Sequence, residues 1–144
     1  MGGYREALRI ADSLVLEQGG NVAMVPGAVR AVYLIGQLDF EVTVGGVEQW
    51  LTNSSGRYTA ETISALVEVG AHRCAEIVRE IVSSFPHGRL PLDDADRVAL
   101  IGRLMPLQGE RWRDLSEMLL DWPDDIDALL RRHVAEHEGD FVGR

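Results

Sequence analysis

The sequence predicts an all-α fold, a single domain of about seven or eight short helices. Three observations carry this expectation. Apolar residues recur at steps of three and four in segment after segment. Glycines and prolines fall where those segments end. No stretch sustains period-two alternation, and the best strand candidate, Glu41-Val42-Thr43-Val44, is only four residues long.

Taken in order, Leu8, Ala11 and Val15 predict a helix over 4–18, ended by Gly19-Gly20. Pro26 suits a helix start. Val29, Val32, Tyr33 and Gly36 carry that helix to about Glu41, and Gly45-Gly46 breaks it. Val47, Trp50 and Leu51 form a short helix that Asn53-Ser54-Ser55-Gly56 stops. Thr59 is the expected N-cap of a helix over 60–69, with Ile63, Leu66 and Val67 on its apolar face and Gly70 as its C-terminal signal. Cys74, Ile77, Val78, Ile81, Val82 and Phe85 trace an amphipathic stripe that Pro86 ends. Asp93 opens a helix carrying Val98, Ile101, Leu104 and Met105, which Pro106 ends. Residues 109–122 and 124–138 make the last two helices, with Pro123 between them and Asp124 as N-cap. Trp50, Trp112, Leu115 and Trp122 are expected in the core.

Composition excludes several function classes. The chain has 144 residues, 46% hydrophobic and 26% charged, ordinary values for a globular domain. All 14 bases are Arg, so there is no Lys for a P-loop, a Schiff base or a kinase site. The net charge of -9 argues against direct nucleic-acid binding, which needs a basic face, and against anionic membrane. It suits a basic protein partner. Val22 to Leu38, the most apolar stretch, is broken by Pro26, Gly27, Arg30 and Gly36 and is too short to span a bilayer. The N-terminus shows no apolar signal core, and Glu6 breaks the myristoylation pattern. One cysteine, Cys74, allows no internal disulfide and fits a cytoplasmic protein.

Catalytic patterns are thin. His133-Val134-Ala135-Glu136-His137 matches H-x-x-E-H, but only seven residues follow to supply a third ligand. A solvated helix face is the plainer account, so no metal, cofactor or catalytic residue is expected. Cys74 sits on an apolar stripe as a small core residue. Ser54-Ser55-Gly56 lacks the flanks of a nucleophile elbow.

Charge is concentrated in residues 93–127. Ten acids (Asp93, Asp94, Asp96, Glu110, Asp114, Glu117, Asp121, Asp124, Asp125, Asp127) oppose four bases (Arg97, Arg103, Arg111, Arg113). Glu110, Asp114, Glu117 and Asp121 step by four, three and four, which places them within about a 60° arc and along roughly 16 Å of helix. Trp112, Leu115, Leu119 and Trp122 occupy another, buried face. Like charges at these spacings cost about 0.2–0.5 kcal/mol per pair, and Arg113 is placed to offset Glu110 and Glu117. The stripe is either a solvated face or a row of carboxylates standing in for the phosphates of a DNA strand.

Gly45-Gly46-Val47-Glu48-Gln49-Trp50-Leu51-Thr52-Asn53-Ser54-Ser55-Gly56 resembles the signature of the bacterial DNA-mimic protein family, roughly Asn-Gly-Gly-Phe-x-Gln-aromatic-aromatic-x-Asn-Ser-Ser-Gly. Glu61 to Gly70-Ala71 and the closing Asp140-Phe141 resemble further family segments. Val44 stands where the family has Asn, and Val47 where it has Phe. The resemblance implies an all-α fold and an acidic surface that occupies a transcription factor's DNA-binding face. Within the signature, Gly45, Gly46, Gln49, Trp50, Asn53 and Gly56 read as structural, with Gln49 and Asn53 hydrogen-bonding the surrounding turns.

Two functions fit. One is a non-enzymatic acidic protein that binds a basic protein, such as a DNA-binding regulator. The other is an immunity or antitoxin-like protein that plugs a partner enzyme. A homodimer is compatible with either.

Overall fold

The computed structural model describes residues 2–142 and contains six α-helices and no strand among them. They are α1 (Gly2–Glu17), α2 (Gly27–Thr52), α3 (Thr59–Val69), α4 (His72–Val82), α5 (Asp94–Leu120) and α6 (Ile126–Glu136). Short 3-10 turns join them at Val22–Met24, Ser54–Tyr58 and Pro86–Gly88, and another, Glu138–Phe141, follows α6. The all-α expectation holds. The count is six because two expected breaks do not separate helices.

The first is Gly45-Gly46. The helix runs on to Thr52 across a kink at Gly46, whose φ of 77° and ψ of -179° leave the helical region. A side chain is strained at such a φ. The kink takes the Val47 amide out of the regular ladder, and the Ser116 hydroxyl accepts from it at 2.9 Å. Residues 41–44, the strand candidate, lie inside α2.

The second is Pro106, which lies within α5 rather than ending it. Its missing amide removes one helical bond without stopping the ladder on either side. Two contacts show that α5 bends. Arg97 Nε donates to the Leu51 carbonyl at 2.8 Å, and Ser116 reaches Val47. A straight helix would hold the Cα atoms of Arg97 and Ser116 about 28 Å apart. That exceeds what an arginine side chain and one helical turn of α2 bridge, and Pro106 lies between the two anchors.

α2 is the central element, packed on α1, α3 and α5, while α4 packs on α3 and α5 and α6 on α1 and α3. The α4 stripe from Cys74 to Phe85 is buried throughout, as its period demands. Trp50, Trp112, Leu115 and Leu119 are buried too. Trp122 is only partly buried, because it follows the end of α5 in a positive-φ turn (φ 44°) and packs against the core from its edge.

Caps agree with the sequence at some ends and differ at others. Gly70 is left-handed (φ 93°) and closes α3, with the Ala71 amide bonded to the Leu66 carbonyl. Asp93 accepts from the Asp96 amide and starts α5. Thr59 does not cap α3: Tyr58 holds that position, and Thr59 is buried as the first helical residue. Asp124 does not cap α6 either. Asp125 does, accepting from the Ala128 amide, which frees Asp124 to accept from the Cys74 amide at 2.8 Å. Cys74 is the third residue of α4, so a carboxylate 50 positions away satisfies an amide of that helix's open first turn.

Candidate partner-binding surface

The second half of α5 is held by its apolar face. Trp112 stacks on Phe85 with ring centroids 5.7 Å apart, and its indole donates to the Ser84 hydroxyl at 2.9 Å. Leu115 and Leu119 extend the same buried face. The opposite face therefore points outward, and Glu110, Asp114, Glu117 and Asp121 are all exposed. None of the four has an ion-pair or side-chain hydrogen-bond partner among the described residues. Arg113, expected to offset them, is exposed and makes no ion pair with them. Arg111 instead reaches across to Glu80 on α4 at 2.9 Å.

The two acidic turns behave differently. Asp93, Asp94 and Asp96 are exposed, but Asp93 is committed to its cap and Asp94 to Arg97. Asp125 is exposed and caps α6. Asp124 and Asp127 are half-buried, the first bonded to Cys74 and the second paired with Arg131 at 2.6 Å. The structure leaves the α5 row as the continuous set of uncommitted carboxylates, with the flanking turns mostly engaged in helix ends.

The signature residues form a polar knot at the α2 kink. Gln49 Nε2 and Asn53 Nδ2 each donate to the same oxygen, Oε2 of Glu41, at 2.7 Å. Glu41 is buried, so its carboxylate relies on these two amides. Their partner is thus this carboxylate one kink away, not the surrounding turns. Gly45 lies in the kink beside Gln49. Gly56 is buried where a Cβ would fall 2.3 Å from the Leu51 carbonyl oxygen. This close approach lets the chain fold back over the end of α2. Trp50 is fully buried beneath.

Arg97 completes this junction, and the sequence reading missed it. Its side chain is fully buried and donates to the carbonyls of Leu51, Asn53, Pro91 and Leu92 and to Asp94. Leu51 carries an open carbonyl at the C-terminal end of α2, where a cation is favoured, and the Asn53 carbonyl, which also accepts from the Gly56 amide at 2.8 Å, lies beside it. Val98, expected on the apolar face, is instead 47% exposed. A usable signal existed: Arg97 lies four residues before Ile101 and seven before Leu104, on the stripe that those two define.

The remaining candidates are engaged in packing. His133 is buried and its Nε2 donates to the Ala28 carbonyl at 3.0 Å. His137 Nδ1 donates to the His133 carbonyl at 2.8 Å, and Glu136 pairs with Arg132. Among the described residues no group of three His, Cys, Asp or Glu side chains is arranged to hold a metal ion. Cys74 is fully buried, and that burial pushes its thiol up to about 12, far from a reactive thiolate. No described helix is long and apolar enough to cross a membrane.

No curated protein and no solved structure matches the chain. One family model does, the DMP19-like protein model, over residues 24–137. That span takes in the whole of α2 to α6, the kink with its polar knot, and the acidic row. With four-fifths of its length inside the match, the chain belongs to the DMP19-like protein family.

Proposed function

We propose that the protein is a non-enzymatic acidic interaction protein that occupies the basic, DNA-contacting face of a DNA-binding regulator in the cytoplasm. The observation that carries this reading is the row Glu110, Asp114, Glu117 and Asp121, exposed and without partners among the described residues. A row tied into ion pairs with neighbouring arginines would have fewer carboxylates to offer; this one makes no such pair among the described residues. Over roughly 16 Å of helix it offers four negative groups. A DNA strand spaces its phosphates about 3.4 Å apart along the axis. The row is thus sparser than DNA yet in reach of the same Arg and Lys side chains. Family membership favours the same conclusion.

The test starts from a regulator captured from the native host. Its binding to its own DNA site is measured with increasing wild-type protein, at two salt concentrations, and again with the Glu117→Arg/Asp121→Arg variant. Wild-type protein is expected to displace DNA, less well at high salt because exposed charges are screened within about 8 Å at physiological ionic strength. The variant, with unchanged circular dichroism, is expected to lose at least tenfold in potency. Equal potency of variant and wild type, with no salt dependence, overturns the reading.

A further inference from the structure

The acidic row ends at Asp121, and Asp121 is also the rim of a groove between α4 and α5. The groove is shallow and open to solvent, with a volume of about 510 Å³, within the range of sites that hold a ligand or an inserted side chain. Its apolar wall is made by Ile77, Met118 and Pro123. Met118 is half exposed and Leu120 is exposed at its side, whereas Leu115 and Leu119 of the same helix are buried. Glu76 and Glu80 stand one helical turn apart on the α4 side. Glu80 already holds Arg111, whereas Glu76 and Asp121 have no ion-pair partner among the described residues. Arg73 is the one base on the lining. An apolar slot with carboxylates on both walls, continuous with a longer acidic row, matches a segment that carries one apolar side chain between basic ones.

We infer that this groove docks an apolar anchor residue, flanked by arginine or lysine, from the same basic partner whose other cations line the α5 row. The inference rests on the acidic-interaction reading above and adds to it a part that DNA mimicry by charge alone does not supply. The flanking cations meet Glu76 and Asp121. The anchor covers Met118 and Ile77. Salt weakens the first contact and leaves the second nearly intact, since burial of apolar surface is not a screened interaction. The anchor would therefore set preference among basic partners where charge alone cannot.

The test uses end-blocked synthetic peptides as probes, Arg-Arg-Ala-Leu-Arg-Arg and Arg-Arg-Ala-Ala-Arg-Arg, titrated into isotope-labelled protein and followed by NMR. The leucine peptide is expected to bind about tenfold tighter, which corresponds to about 1.4 kcal/mol. It should shift the Met118 methyl and the amides of 118–122, while the alanine peptide shifts only residues of the row. Met118→Ser, a change at a half-exposed site that spares the core, should bring the leucine peptide to within twofold of the alanine peptide. Equal affinities, or an unmoved Met118 methyl, overturn the groove. Tight binding of Glu-Glu-Ala-Leu-Glu-Glu overturns the basic character of its occupant. A separate variant, Glu110→Arg/Asp114→Arg, probes the row away from the groove. If it changes neither peptide's affinity, the row reading fails while a leucine preference keeps the groove. If neither basic peptide binds at low salt, both readings fail.

Discussion

Replacing Arg97 by methionine removes the charge and the five hydrogen bonds while keeping an unbranched side chain of similar length. Its Leu51 bond is fully buried, so that carbonyl is left without a partner. An orphaned buried acceptor costs about 1–3 kcal/mol. The carbonyls of Pro91 and Leu92 are partly accessible and regain water, and that of Asn53 keeps the Gly56 amide. Each then forfeits about 0.5–1.5 kcal/mol, the net worth of an ordinary hydrogen bond. Relief from burying a guanidinium offsets part of the sum. The expected net loss is about 2–4 kcal/mol. For a domain of this size that lowers the melting temperature by about 6–12 °C, at roughly 3 °C per kcal/mol. Asp94 gives the contrast. Its side chain is 62% exposed, so Asp94→Ala removes only a screened pair and should cost less than about 1 kcal/mol. The assay is urea unfolding followed by circular dichroism, with thermal melts in parallel. An Arg97→Met protein within 1 kcal/mol of wild type would refute the role given to the buried carbonyls. So would an Asp94→Ala protein as unstable as Arg97→Met, which would make the ion pair the source of the stability.

Two further expectations concern α4. Asp124→Ala should cost about 1 kcal/mol, the worth of a typical N-cap, and urea unfolding should show it alongside faster amide exchange in residues 72–75. The buried thiol predicts an alkaline effect. Cys74 is raised in the folded state from 9.0 to about 12, so above pH 9 the unfolded chain gives up a proton that the native chain keeps. Fewer protons bound to the unfolded state means stability that is full below about pH 9 and falls as pH rises towards 12. Cys74→Ala should flatten that fall relative to wild type in paired urea titrations at pH 8 and pH 10. Identical slopes would show that the thiol ionises in the folded protein as freely as in the unfolded one.

What the sequence made legible follows from the range of the interaction responsible. The α4 stripe, the Gly70 stop, the Asp93 cap and the outward acidic row are all set by residues within one or two turns of each other, and periodicity reads them directly. Several of the differences share one physical cause. The end of α2 is closed by Arg97, its restart after Gly46 by Ser116, and the start of α4 by Asp124, side chains that lie 44 to 69 positions from the amides and carbonyls they satisfy. Local spacing has no access to such partners. It accordingly assigned Asp124 to the nearest helix and counted Arg97 only among the four bases of residues 93–127. The same cause lies behind the Gly46 break, which did not separate helices. A kink leaves groups unpaired, and at Gly46 a distant hydroxyl comes to pair one of them. Ser116 does so for the Gly46 kink, while Arg97 holds the first half of α5 against the end of α2. The acidic row lies beyond Pro106 on the half that Trp112 and Ser116 fix in place. The signature at 45–56 therefore bears on the acidic row indirectly. It builds the junction that sets the course of α5, and with it the direction in which Glu110, Asp114, Glu117 and Asp121 face.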